Sequence, residues 1–504
     1  MPRHIVIHGH FYQPPREDPW RWTVPREPSA APAHDWNQRI TKECYEPNHA
    51  ARILGPAGQV RRRLNNYGYM SFDFGPTLLA WLEQHAPAVY QGILQGDREA
   101  QARFSGHGTA IAHPYHHLIL PLASSRDKRT QLLWGVRDFQ HRFQRAPEGV
   151  WLPETVVDLE SLEIAADLGI RFTILAPHQV HRVRALSSGH WHAPAHHEAD
   201  PTTPYALQLP SGRRFHVFFY HGGLARGVAF DGMLNDGEAM IRRLLGAFSE
   251  RRAWPQLVHL ATDGESYGHH HKFGEMALAY VLDALETRGD ARLTTYGEFL
   301  TKHGPTHQAE ILEHTAWSCA HGMERWRSDC GCCISHQPGW TQQWRAPLRA
   351  TLDWLRDELD PAFERTAARL LKDPWAARDD YINVLLDGTN NGFTTFCHTH
   401  ARHPLTSTDR HTVRALLSLQ FHRLCMYTSC GWFFDDPSGI ETGILLLHAA
   451  RALELAAETC DLDRRSAFMD RLIAVKSNIP EAGDGKKILT TLLAARAHPR
   501  RRHA

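Results

Sequence analysis

Short apolar runs alternate with amphipathic stretches along residues 1–305, and several of the runs end in polar, chemically capable residues. The first, Arg3 to His10, reads as a buried strand that turns polar at His8 and His10 and is broken by Gln13-Pro14-Pro15. Residues two apart on an extended backbone share a face, so the two imidazoles point the same way. Residues 16–50 lack periodicity and read as a long loop with short helical pieces. Residues 71–76 predict a strand and turn, and 77–85 a helix with Leu78, Leu79 and Leu82 on its apolar face. Residues 104–108, around His107, predict a short strand closed by a glycine turn, and residues 125–144 a helix.

Residues 150–152 predict the end of a buried strand, because Pro153 cannot donate to a ladder. Glu154 follows directly. It is either a catalytic carboxylate at a strand end, where α/β enzymes place such groups, or a charge on the first turn of the next helix. Strands are expected at 172–175, 214–220, 257–261 and 291–295, with a loop over 176–206 and a helix N-capped by Asp236. The strand at 257–261 runs into Asp263-Gly264-Glu265, repeating the layout around Glu154. Repeated strand–loop–helix units indicate a parallel barrel or a doubly wound sheet.

From residue 310 the pattern changes to a loop-rich joint and then long amphipathic helices, for example at 413–427 and 440–457. The expected division is residues 1–310 as an α/β unit, 311–475 as a helical domain with a Cys-rich joint, and 476–504 as a basic tail. Three readings compete for Cys319, Cys330, Cys332 and Cys333: zinc binding, redox activity, or packing of a tight joint. Cys-x-Cys-Cys lacks the usual two-residue spacing of structural zinc sites, so packing is expected and no cofactor is required.

Composition narrows the classes. The chain has 504 residues, and its 56 basic residues almost balance 55 acidic ones, which gives no global field for nucleic acid or an anionic membrane. No apolar run approaches the ~20 residues of a membrane helix, and Ile5 to Ile7 is too short for a secretory h-region. Nine cysteines, mostly after residue 318, suit a reducing compartment, so a cytoplasmic location is expected. Thirty-six histidines and 15 tryptophans suggest a polar, ring-shaped ligand. The oligomeric state is not legible.

The chemistry concentrates on two carboxylate-bearing strand ends, Glu154 and Asp263. Cleavage of a glycosidic bond needs such a pair, and Glu265 rivals Asp263 for the acid role. In one order, the chain carries His8-Gly9-His10 with Gln13-Pro14, Ser105-Gly106 with His113-Pro114, Trp151-Leu152-Pro153-Glu154, and Asp263-Gly264-Glu265-Ser266-Tyr267-Gly268. This series resembles the motifs of glycoside hydrolase family 57, retaining enzymes active on α-glucans. The resemblance implies a distorted (β/α)7 barrel followed by a mostly helical domain. It implies Glu154 as nucleophile, Asp263 as general acid/base, and His8 and His10 lining the sugar subsite.

Gln13, His107, His113, Trp151, Glu265 and Tyr267 are further substrate-binding candidates. Phe11 and Tyr12 separate His10 from Gln13, where the family has Gln-Pro directly after the second His. The segments from Ser318 to Cys332 and from Tyr427 to Asp436 resemble an uncharacterised domain fused behind such barrels. By analogy with the family's ring-stacking aromatic, Trp326 or Trp340 is a candidate to cover a glucose ring. The expected activity is hydrolysis or glucanotransfer on maltodextrin, amylose or glycogen, with an α-glucan as partner and neither nucleic acid nor membrane. Two alternatives stand beside it. One is a metal-dependent polysaccharide deacetylase-like hydrolase using an Asp with His113 and His117, whose i, i+4 spacing otherwise suits a polar wall. The other is a non-hydrolytic glucan-binding protein.

Overall fold

The computed structural model describes residues 1–187 and 189–497. These divide into two units: residues 1–13, 26–115 and 138–317 form the first, and 14–25, 116–137 and 318 onward the second.

The first unit is organised by parallel strands: β1 (Arg3–Phe11), β2 (Ser71–Phe74), β3 (Gly149–Val150), β4 (Phe172–Leu175), β5 (Arg214–Phe219) and β6 (Gln256–Asp263). Residues 110–112 add a further stave through single bridges, Phe72 to Ala110 and Ala112 to Val150. Parallel pairing runs from β6 to β1, β2 and residues 110–112, and on to β3, β4 and β5. The His221 N–H just past β5 donates to the His259 carbonyl of β6 at 2.8 Å and completes the ring. The result is the expected (β/α)7 barrel. Its distortion has a local cause, since one stave is held by isolated bridges. Strands buried on both faces need continuous apolar runs, which β1 and β6 supply in Ile5 to Ile7 and in Leu257, Val258 and Leu260. The helix Gly237–Gly246 is capped by Asp236, which accepts from the Ala239 N–H at 3.0 Å.

Several expectations change. Residues 104–108 form no strand but a turn that closes the helix Pro87–Arg103, because the Phe104 N–H still bonds to the Ala100 carbonyl. The expected loop at 176–206 contains the strand Val180–Ala185 and the start of the strand Tyr205–Gln208, and both pair with His307–Ile311. A division at 310/311 would cut that last strand, and the first unit runs on to Trp317.

The second unit is helical, with Arg345–Ala367, Ser407–Cys425 and Ile440–Cys460 burying Leu352, Leu355, Leu416, Leu445 and Leu453. The expected basic tail at 476–504 includes a helix, Gly485–Ala497. Its Arg496 pairs with Asp18 at 3.2 Å and lies over the Trp20 ring, so it is not a solvated charge. Residues 498–504 lie outside the described residues. No helix among the described residues is long and apolar enough to cross a membrane.

Within this unit Asp127 is buried between the guanidinium groups of Arg378 (2.9 Å) and Arg423, both fully buried. Burial would raise its carboxyl, but the two guanidinium groups hold it at about 2. Breaking such a cluster strands uncompensated charge. Asp127→Ala is expected to destabilise the second unit by about 3–5 kcal/mol in denaturant unfolding.

Candidate active site

The C-terminal ends of five adjacent staves bring the site together. β1 presents His8 and His10, which share a face as expected, and β2 presents Asp73 opposite His10 in register. Asp73 receives His8 Nε2 at 3.1 Å on one oxygen and His10 Nδ1 at 2.8 Å on the other, while His8 Nδ1 meets Ser71 Oγ at 3.0 Å. All four side chains are buried. Burial alone would lower the His10 imidazole and raise the Asp73 carboxyl. Their mutual attraction reverses both, with Asp263 and Glu265 adding to the pull on His10, so that His10 rises to about 9 and Asp73 falls to about 2. This end of the barrel therefore holds a buried ion pair at neutral pH. His8 is driven the other way, lowered by burial despite Asp73.

Trp151, fully buried after β3, underlies both imidazoles, with ring centroids 5.0 Å from His8 and 5.1 Å from His10. It is a platform for the histidines, with no face left for a ligand. His113 follows residues 110–112 and stacks on His10 at 5.5 Å; burial and the charge on His10 lower it to about 3, so it is neutral.

Past Pro153, Glu154 adopts φ 57° and ψ 19°, and Thr155 also has positive φ. This left-handed conformation costs a side-chain-bearing residue on the order of 1–2 kcal/mol and persists only where surrounding contacts enforce it. Trp317 supplies them. Its backbone N–H donates to the Glu154 carbonyl at 3.2 Å and to Thr155 Oγ1 at 2.9 Å, and its indole N–H donates to Glu154 Oε2 at 3.0 Å.

Asp263 ends β6 in register with His10 and is open to solvent, although protein groups crowd around it. That crowding desolvates its carboxyl and raises it, His10 opposes, and the negative charges of Glu154 and Asp73 raise it further, to about 6. Asp263 and Glu154 are thus in electrostatic contact. Glu265 is buried and accepts from the Tyr45 hydroxyl (2.6 Å) and the Tyr12 N–H (3.1 Å); burial, with Asp263 beside it, lifts it to about 7. It secures the turn. A Cβ on the intervening Gly264 would stand 2.3 Å from the Phe11 ring, so Asp-Gly-Glu needs its glycine.

Other candidates fall elsewhere. His107 precedes its stave and bonds to Glu148, which precedes β3, at 2.8 Å; both lie at the N-terminal end of the strands, opposite Glu154 and Asp263. It is not a subsite residue. Tyr267 is fully enclosed against Thr262, and Gln13 is half-buried two positions past β1. Trp326 is fully buried in the second unit and offers no face to a sugar, and Trp340 lines a recess of about 240 Å³ there with Asp329, Gln342 and Asp435. His117 belongs to the second unit, where its Nδ1 meets Ser429 Oγ at 2.6 Å. Asp73 and Trp317 escaped the sequence reading. The signal for Asp73 was a carboxylate set between two phenylalanines of a short strand.

A family model described as glycosyl hydrolase family 57 matches residues 28–311, and one described as a domain of unknown function (DUF3536) matches residues 340–501. No curated protein matches the chain. Among solved structures, it is similar to an exo-type maltose-forming amylase from Pyrococcus sp. ST04, with 14% identity and a TM-score of 0.73 over 98% of this chain and 92% of that one. It is similar to a GH57-type branching enzyme from Pyrococcus horikoshii, with 16% identity and a TM-score of 0.56 over 99% and 96%. It is also similar to a 4-alpha-glucanotransferase from Thermococcus litoralis, with 15% identity and a TM-score of 0.52 over 91% of this chain but 60% of that one. At these identities the likeness is one of fold.

Asp73→Asn is expected to remove the ion pair and let burial lower the His10 imidazole below its usual value, as read by histidine NMR titration. The depressed Asp73 stabilises the fold above about pH 4 and loses this as pH falls toward 2. The raised His10 stabilises it below about pH 6.5 and loses this as pH rises through about 9. Destabilisation, about 3 kcal/mol or more, should therefore peak between about pH 4 and 6.5 and fade on either side.

Proposed function

The chain belongs to glycosyl hydrolase family 57 and is an enzyme of glycosidic bonds, and from that premise we propose a retaining α-glucan hydrolase or glucanotransferase with Glu154 as nucleophile and Asp263 as general acid/base. The observation that carries the reading is the pairing of these two carboxyls at parallel strand ends, one bonded by the Trp317 indole N–H and the other raised to about 6 partly by its neighbour's charge.

In the first step the Glu154 carboxylate attacks the anomeric carbon. Asp263 gives its proton to the glycosidic oxygen, and the leaving glucan departs as an alcohol. The product is a glycosyl ester on Glu154. In the second step the Asp263 carboxylate takes a proton from the acceptor hydroxyl, which attacks the anomeric carbon and frees Glu154. Two inversions give net retention. Water as acceptor makes the reaction hydrolysis, and a glucan hydroxyl makes it transfer. In this reading His10, held by Asp73, lines the sugar subsite. The α-glucan class is supported by the family and by the names of the structural neighbours, a maltose-forming amylase, a branching enzyme and a 4-alpha-glucanotransferase.

Incubation with maltodextrin, amylose and glycogen, with product analysis by chromatography and anomer analysis by NMR, tests the reading. Retained α-configuration is expected, and an inverted first product would exclude the mechanism. Asp263→Asn is expected to lower kcat/KM by about 10²–10⁴-fold and Glu154→Gln by at least as much. Because the acid must be protonated in the free enzyme, kcat/KM should fall as pH rises through about 6, and Asp263→Asn should remove that limb.

A further inference from the structure

The Cys-rich joint of the second unit holds a cluster that the glycosidic chemistry does not use. Cys319 Sγ lies 3.6 Å from Cys332 Sγ and 3.9 Å from Cys330 Sγ, and His321 Nδ1 lies 3.5 Å from Cys332 Sγ. All four donor atoms fall within 4.8 Å of one another. The sulfurs are much too far apart for a disulfide, whose S–S length is about 2.05 Å. They match another geometry. A tetrahedral ion with Zn–S of about 2.3 Å and Zn–N of about 2.0–2.1 Å sets its sulfurs about 3.8 Å apart and each sulfur about 3.6 Å from the nitrogen.

We propose that Cys319, His321, Cys330 and Cys332 bind one zinc ion as a closed, structural Cys3His site. The set differs from the four cysteines named from the sequence, where packing was the expectation. Cys333 is turned away, its Sγ 3.1 Å from His336 Nδ1, and His321 takes its place. The Cys-x-Cys spacing works because the intervening Gly331 sits at φ 76°, which turns both thiols toward one point at no steric cost. The surrounding groups also suit an anionic centre. Three thiolates and a neutral imidazole around Zn²⁺ leave one net negative charge, and the fully buried Arg345 donates to the Cys332 carbonyl at 2.9 Å. The backbone beyond is secured by Asp435, which accepts from the Ile334 N–H at 2.9 Å and the Ser335 N–H at 2.6 Å. Four protein ligands leave no open position, so the ion would organise the segment from Cys319 to Cys333 and take no part in catalysis.

The full chain, purified without chelator or metal-affinity resin, is tested by elemental analysis, with about one zinc per chain expected. Cys330→Ser and Cys332→Ser should lose it, and Cys333→Ser should keep it. Should those variants fail to fold, thiol alkylation of the native protein followed by peptide mass spectrometry serves instead. Cys319, Cys330 and Cys332 should be protected and become reactive on adding a strong chelator, whereas Cys333 should react throughout. Chelation should lower Tm by several degrees, with recovery on adding zinc. Replacement by Co²⁺ should give the intense visible bands of tetrahedral thiolate coordination. Less than about a tenth of a zinc per chain after zinc-supplemented expression, iron in its place, a disulfide within the set, or equal alkylation of all four thiols would each overturn the site.

Discussion

A carboxylate without solvent is tolerable only if protons on neighbouring groups compensate it, and Asp73 meets that condition by lying between the imidazoles of His8 and His10. The rest of the barrel's C-terminal end is arranged around this pairing. It fixes two neighbouring staves against each other at their polar ends, where the apolar ladder stops contributing. It charges His10, which then draws on Asp263 and Glu265, and it leaves His113 neutral. Trp151 seals the pair from beneath. A buried ion pair contributes little net stability compared with an apolar substitute, so its value here lies in holding a positive charge at a defined point.

A second constraint acts on Glu154. A carboxylate on a left-handed turn is strained, and the three hydrogen bonds from Trp317 hold it there. The same contacts orient one carboxylate oxygen as an acceptor. Asp263 is tuned differently, by crowding and by the field of Glu154 itself. Two chemically similar side chains therefore stand in unlike surroundings.

Much of this was legible in the chain. Apolar runs ending in His8-Gly9-His10, in Trp151-Leu152-Pro153-Glu154 and in Asp263-Gly264-Glu265 mark strand ends, and the period-2 rule correctly set His8 and His10 on one face. Partnerships across strands were not legible. Nothing local tells that Asp73 pairs with β1 or that Trp317, far along the chain, meets Glu154. His107 was misjudged because a polar residue beside glycine looks alike at either end of a barrel, and only the register shows which end it occupies. Trp326 was misjudged because an indole suits a core as well as a sugar. The unit boundary was placed too early because His307–Ile311 returns to a sheet begun at Val180, a long-range pairing that composition does not reveal.

The most direct measurement is peptide mapping of the protein after reaction with a fluorinated α-glucosyl fluoride, which forms the glycosyl ester quickly and hydrolyses it slowly. Two-step retention through Glu154 predicts one added glycosyl group per chain, on the peptide containing Glu154, released when a maltodextrin acceptor is supplied. A stable adduct on any other carboxylate, or turnover of the reagent with no covalent adduct, would contradict it.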